Sequence, residues 1–237
     1  MAVLLLAAFP LKGQEFKERL DWAANGNILY FPEDNDVGGD PAPILPSLGA
    51  DLAYHFIGPL WAEFTEDLYF THYAYNYSLD RAVPAAIENR SAFVFGLLTG
   101  FQALGRFPLE KNPSGSRAFA RVYMGPAIDF RIVTLAGNLH PDDFTGIPAS
   151  DPKIQTDSVR KYLWGKGRWF LPVTGVGMDF AINEQYMLGF DLRVWYPAYR
   201  LWSKENLPPI EGWRFGAGIR ISPRHYKPVQ EEENHEK

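Results

Sequence analysis

From Trp213 to Ile221 the chain alternates without a break: Trp213, Phe215, Ala217, Ile219 and Ile221 are apolar, and Arg214, Gly216, Gly218 and Arg220 fall between them. Successive side chains of a strand point to opposite faces, so this segment predicts a strand with one apolar face and one face of arginine and glycine. The pattern recurs upstream. Over 185–201, Tyr186, Leu188, Phe190, Leu192, Val194 and Tyr196 share a face opposite Gly189, Asp191, Arg193 and Trp195. Over 168–181, Phe170, Pro172, Thr174, Val176, Met178 and Phe180 oppose Gly175, Gly177 and Asp179. Over 116–134, the face running from Ala118 to Ile132 opposes Arg121, Tyr123, Gly125, Asp129 and Arg131. The short polar turn at Ile182–Glu184 joins two of these strands as a hairpin.

Four more strands are predicted over 19–31, 48–57, 60–75 and 90–107, giving eight. The first is interrupted at Asn25–Asn27. The third breaks the rule because Glu66 falls on the face of Leu60, Phe64 and Leu68, which predicts a bulge there or a place outside the apolar band. Long connections at 32–47, 76–89 and 136–167 alternate with short ones at Gly58-Pro59, 108–115 and Asn183, and 203–210 forms a last polar loop. Alternating faces, eight strands and all the long loops at one end predict an all-β fold, an eight-stranded antiparallel transmembrane β-barrel with an apolar outside and a polar inside. A soluble lipocalin-like binding barrel carries the same alternation with its apolar face inward. The glycines on the polar face favour the membrane reading, because a narrow interior needs small residues and a solvated exterior does not.

Composition changes this picture little. Hydrophobic residues make up 46% of the 237, with a mean hydropathy of -0.21, because the apolar positions alternate rather than run together. No stretch approaches the roughly 20 apolar residues of a membrane helix. A net charge of -5 argues against a nucleic-acid partner. The absence of cysteine excludes a disulfide framework, a cysteine zinc site and a lipid-modified cysteine. Ala2–Phe9 is an apolar run of export-signal length, although no basic residue precedes it and no A-x-A site follows. The expected organisation is therefore an export signal over 1–14, a barrel domain over 15–222 and a charged tail over 223–237.

The candidate site residues follow from the faces. Arg121, Asp129, Arg131, Asp179, Asp191, Arg193, Arg214 and Arg220, together with Asp51, Glu63, Asp67 and Arg106, are predicted inside, where charges of both signs must pair and fill the lumen. Trp61, Tyr73, Tyr75, Tyr196, Tyr199, Trp202 and Trp213 are predicted near strand ends as an interfacial aromatic girdle, with Tyr77 and Tyr186 beside them. Trp164 and Trp169 are the nearest candidates for loop rings that could stack on a sugar. His72, near Ser78 and Asp80, lacks the spacing of a catalytic set, and no phosphate loop, nucleophile elbow or metal cluster appears. No enzymatic activity, cofactor or metal is expected.

Across roughly 19–222 the eight alternating strands and their loop order make the chain resemble the small outer-membrane barrels of the OmpA, OmpX and OmpW type, and in texture the small barrels of spirochaete outer membranes. The resemblance implies a place in the bacterial cell outer membrane, contact with outer-membrane lipid and with the insertion machinery, and a structural or surface-contact role. Its surface loops would meet a host or a small hydrophobic ligand. An alternative function implied by the OmpW branch is a narrow channel for small hydrophobic molecules with a lateral opening, for which Pro126, Pro172 and Pro197 on the lipid face are the candidates. One departure is the end of the last strand, where Pro223 and an acidic tail stand in place of the aromatic residue that such barrels commonly present for insertion.

Overall fold

A computed structural model describes residues 19–33, 44–85, 92–110, 117–136, 151–203 and 210–224. The strands are β1 (Leu20–Tyr30), β2 (Ile44–Ile57), β3 (Leu60–Asn76), β4 (Arg81–Pro84), β5 (Ala92–Pro108), β6 (Ala118–Gly125), β7 (Ala127–Leu135), β8 (Val173–Ala181), β9 (Tyr186–Trp195) and β10 (Arg214–Pro223). A helix, α1 (Pro152–Trp164), precedes β8, and a single helical turn, α2 (Arg200–Ser203), follows β9. The expected signal over 1–14 and nearly all of the tail lie outside the described residues.

Eight wall strands close into an antiparallel barrel. β6 and β7 are two halves of one strand, since β5 pairs with both in one continuous register, from Ala103 opposite Met124 to Gly100 opposite Ala127. Pro126 separates them because it has no N–H to give, yet its carbonyl still accepts from the Phe101 amide at 2.9 Å. The wall then runs β1, β2, β3, β5, β6 with β7, β8, β9 and β10, and closes where Tyr30 lies opposite Phe215 on β10. β4 is a short addition that folds back onto the outer end of β3. Closure leaves few free strand edges, and neighbouring strands of the wall pair their backbone polar groups with one another.

The burial pattern is inside out for a protein in water. Leu48 is 73% exposed and Ile132 and Leu192 are 60% exposed, while Arg121 is 2% and Asp67 1% exposed. Apolar side chains cover the outside and charges fill the inside, which is the arrangement of a barrel that spans a membrane. The soluble-barrel alternative requires the reverse and falls. Among the described residues no helix is long and apolar enough to cross a membrane.

Several boundaries differ from the sequence reading. The expected strand over 168–181 begins only at Val173, and that over 185–201 ends at Trp195, because Pro172 and Pro197 cannot donate to the ladder. β2 starts early, at Ile44. Asn25 to Asn27 do not interrupt β1: both asparagines point into the lumen in phase with Asp21, and Gly26 takes the outward position between them. No bulge forms at Glu66, which stays on the apolar face between Ala50 of β2 and Thr99 of β5. The irregularity that the third strand needed falls instead at His55 to Ile57, beside the Gly58-Pro59 turn, where Gly58 takes a φ of 55°. The connection over 136–167, expected to be a loop, contains α1. Asp151 caps it by accepting from the Lys153 amide at 2.8 Å, Pro152 opens its first turn, and Pro152, Thr156, Val159 and Leu163 form its buried side.

Candidate functional site

The lumen is filled in layers, each set by the inward positions of the strands. At the inner end Trp61 packs on Ala53, Leu104 and Tyr123. Next comes a buried ionic network. Arg121 of β6 reaches Glu63 at 2.6 Å, Asp191 at 3.0 Å and Asp179 at 3.8 Å. Arg193 of β9 holds Asp67 at 2.7 Å and Asp51 at 3.8 Å. Arg220 of β10 lies 3.7 Å from both Asp51 and Asp179, and Arg106 of β5 holds Asp21 at 3.1 Å. Asn25 donates to Asp51 at 2.9 Å, and Asn27 also donates to Asp67, so the asparagines of β1 extend the network across the seam where the barrel closes. Charges removed from water this completely are tolerated because each has oppositely charged neighbours.

Glycines give these groups their room. Gly96 of β5 lies directly opposite Tyr69 of β3, and a Cβ there would stand 2.0 Å from the tyrosine ring. Gly175 of β8 admits Tyr123 in the same way, at 2.4 Å. The Tyr69 ring lies flat against the wall and its hydroxyl donates to Asp129 at 2.8 Å. Above the ionic network Leu29, Phe31, Leu45, Tyr69, Leu98, Leu171 and Trp195 form an apolar layer across the bore. Beyond it Arg131 pairs with Asp129, Arg81 with Glu211, and Arg214 holds Glu33 at 2.6 Å while its guanidinium covers the Phe31 ring at 4.0 Å. Burial pushes the Glu33 carboxyl up, but Arg214, Arg131 and the Tyr73 hydroxyl outweigh that and hold it below the ordinary carboxylate range. A cavity of about 20 Å³ between Glu33, Arg131, Arg168 and Arg214 has room for one water.

Helix α1 caps the outer mouth. Val159 and Leu163 are buried against Tyr73, Ala92, Val94 and Val133, which are inward residues of β3, β5 and β7. The helix also completes the wall. Among the described residues, β8 pairs with β6 but leaves the outer half of β7 without a strand on that side, and Ile128 opposite Phe170 is the one bridge that continues the ladder. There the Trp164 indole donates to the Arg131 carbonyl at 2.9 Å and the Arg160 guanidinium to the Val133 carbonyl at 3.1 Å. Side chains of α1 thus stand where a strand would donate. Pro126 and Pro172 lie at the foot of this seam, and Tyr196, just before Pro197, donates its amide to the Pro172 carbonyl at 2.8 Å.

The twelve charges read as inward are all inside the barrel, with Arg106 the least covered, but the eight do not make one network. Arg121, Asp179, Asp191, Arg193 and Arg220 share the inner layer, whereas Asp129, Arg131 and Arg214 lie beyond the apolar layer. The aromatic set divides. Tyr196 meets Trp213 edge-to-face at 5.1 Å and Trp213 stacks on Phe215 at 6.2 Å, a row at the outer ends of β9 and β10 that Tyr30 continues onto β1. Trp202 is exposed at the outer rim and gives its indole N–H to the Lys166 carbonyl. Trp61, Tyr73, Tyr75 and Tyr199 are corrections to the girdle. Trp61, Tyr73 and Tyr75 have the parity of the lumen charges on β3, so they point inward, and Tyr199 is buried under Arg168. Of the two loop tryptophans, Trp164 serves the seam and Trp169 packs on Phe170. His72 sits on the outward face with its ring edge-on to Phe93 at 5.4 Å. Sequence reasoning passed over Glu33, Arg81 and Glu211, which lie in connections or short additions without alternation. Asn25, Asn27 and Tyr69 were legible from parity alone.

No protein-family model matches the chain, and no curated protein matches it. Among solved structures, the outer membrane protein OprG from Pseudomonas aeruginosa is 11% identical with a TM-score of 0.47, over 86% of this chain and 95% of that one. Neisserial surface protein A is 14% identical with a TM-score of 0.44, over 85% and 96%. The attachment invasion locus protein Ail of Yersinia pestis is 6% identical with a TM-score of 0.42, over 86% and 96%. The strand registers described above establish the closed antiparallel barrel independently of these likenesses.

Proposed function

We propose that the chain is an outer-membrane barrel whose bore is a filled anchor and whose outer end is its working surface, a structural or surface-contact protein without catalytic activity. The observation that carries this reading is the layered lumen. A solute entering from the outer side meets α1, then the Arg131 and Arg214 layer, then the apolar layer at Leu29 and Leu98, then the Arg121 and Arg193 network. Eight strands enclose only enough space for side chains, and here they occupy it. The exposed apolar belt fits outer-membrane lipid as its surroundings, and assembly there would pass through the insertion machinery.

The test is to fold the chain in detergent, compare boiled and unboiled samples on an SDS gel, and then reconstitute it in planar bilayers. Faster migration of the unboiled protein with no step conductance is expected. Folding in plain buffer without detergent would overturn the membrane reading, and steady ion-conducting steps would overturn the filled anchor.

A second reading is favoured by the seam beside β7. A lateral passage for small hydrophobic molecules would open there if α1 swung away, since among the described residues the Trp164 and Arg160 side chains close the outer half of that edge. A disulfide between cysteines introduced in α1 and β7 would abolish uptake of such molecules into vesicles under this reading, and would leave the surface-contact role intact.

A further inference from the structure

The outward face of the wall is apolar with one exception. Among the described residues of the wall strands, Glu66 of β3 is the one Asp, Glu, Lys or Arg at a position that points to lipid. Below it on the same face lie Leu60, Ala62 and Phe64, and above it Leu68 and Phe70, with Leu60 54% and Phe70 49% exposed. At about 3.4 Å per residue and a tilt of about 40°, Glu66 stands roughly 16 Å above Leu60 and roughly 10 Å below Phe70, well inside an apolar band about 25 Å tall. Hydrocarbon offers a carboxyl neither a donor nor water, and an ionisable side chain at that depth marks a site that has a partner.

The surface around Glu66 is shaped for close approach. Glu66 lies directly between Ala50 of β2 and Thr99 of β5, and Ala24 of β1 continues the row beyond Ala50. Taller side chains stand on either side of this row: Leu48, Leu68 and Leu97 toward the outer end, and Leu52, Phe64 and Phe101 toward the inner end. A row of small residues between two apolar ridges lets a second wall come near, so that its ridges pack on these. Among the described residues no side chain forms a hydrogen bond or an ion pair with the Glu66 carboxyl, and the Thr99 hydroxyl is the other polar group of the row.

We infer that this face joins two copies of the chain side by side in the membrane, with Glu66 of one copy hydrogen-bonded to Glu66 of the second across a two-fold axis normal to the bilayer. Copies inserted by one route share one orientation, so a closed pair has its axis along the membrane normal and sets each residue against groups of its own depth. For Glu66 those groups are the carboxyl of Glu66 and the hydroxyl of Thr99 in the second copy. Two neutral carboxyls satisfy each other in hydrocarbon, because each O–H donates to the carbonyl oxygen of the other and no charge remains. A lipid brings only acyl chains to this depth, whereas a second copy brings the required donor at the required height. The inference uses the membrane barrel alone and goes beyond the surface-contact role.

The chain has no cysteine, so single introduced cysteines report contact directly. The whole chain is reconstituted in phosphatidylcholine vesicles at rising protein-to-lipid ratio, and Ala50→Cys is oxidised with copper phenanthroline beside Leu192→Cys, which lies on β9, opposite β3 in the wall. A covalent dimer is expected from Ala50→Cys and not from Leu192→Cys. Association is then measured by energy transfer between amine-labelled copies as lipid is added. Glu66→Leu and Ala50→Phe should each weaken it roughly tenfold, the first by removing the hydrogen bonds and the second by filling the row. Glu66→Gln, whose amide both donates and accepts, should associate about as strongly as the parent. Glu66→Leu places an apolar group in lipid, so it keeps the barrel and its gel shift. Equal cross-linking at the two cysteines, undiminished association in Glu66→Leu, or a Glu66→Gln chain that fails as Glu66→Leu does overturns the proposal. Cross-linking of Ala50→Cys to a different membrane protein, with the parent monomeric, overturns it as well and gives the face to that partner. A parent that keeps its gel shift but stays monomeric at every ratio refutes this inference alone, whereas loss of the shift in the parent refutes the membrane barrel.

Discussion

At the scale of single residues, the parity of a side chain decides what a substitution costs. Leu192 faces lipid and Arg193, its neighbour, holds Asp67 and Asp51 inside. Leu192→Arg should lose about 2 to 4 kcal/mol in lipid. Arg193→Leu should lose about 3 to 5 kcal/mol, because Asp67 loses its cation and Asp51 one of its two. Urea unfolding in vesicles measures both, and a near-neutral Arg193→Leu would show that the network contributes nothing to stability. Gly96→Ala should cost about 1 to 3 kcal/mol, since a methyl group must displace the Tyr69 ring and with it the bond to Asp129. Retained near-UV dichroism and an unchanged unfolding midpoint in Gly96→Ala would count against the close tyrosine and glycine fit. Much of this was legible in the sequence, because period-two alternation carries face assignment directly. Trp61, Tyr73 and Tyr75 show its limit. Their position near strand ends suggested a girdle, yet they share parity with Glu63 and Asp67, and parity was the stronger signal.

At the scale of elements, α1 is the piece that alternation could not reveal. Its signals are a capping aspartate, a proline in the first turn and apolar or small residues on one side, all helical in period and set in a stretch read by its length as a loop. Its role depends on contacts remote in sequence, with Val94 and Val133 below it and the β7 edge beside it. Asp151→Ala should weaken the helix by about 0.5 to 2 kcal/mol. Trp164→Phe removes the donor to the Arg131 carbonyl and keeps an aromatic ring. In either variant, hydrogen exchange is expected to rise in α1 and in the outer half of β7, with the amides of β8 to β10 unchanged. Exchange that rises uniformly round the barrel would mean that α1 is no separate unit of the wall. Pro126 and Pro172 face outward where the ladder breaks, whereas Pro197, expected on the lipid face, is buried, and what closes the interruption was invisible without the helix.

For the whole molecule, an ion pair ties strands that are remote in sequence together at the outer end of the bore. Glu33, at the end of β1, is fastened to Arg214 of β10 and to the Tyr73 hydroxyl of β3. Its folded-state pKa is lowered, so the pairing contributes stability that is fully present above the unfolded carboxylate value of about 4.5 and is lost as pH falls through the lowered folded value. Acidification below pH 4.5 should therefore lower the unfolding midpoint of the parent chain more than that of Glu33→Gln, which has no such proton to take up. Equal acid sensitivity in the two proteins would remove Glu33 from the account.

The strands of the wall are unequal. β3 and β5 run for 17 residues each, while β9 and β10 run for 10. With short turns holding the inner ends level, seven further residues at about 3.4 Å each and a tilt of about 40° raise one side by roughly 18 Å. The molecule is a bevelled tube. On its short side the described strands end nearer the inner turns. On its tall side β3 and β4 run together past the ends of β2 and β5, so among the described residues Tyr75 and Tyr77 are carried to the height of that crest.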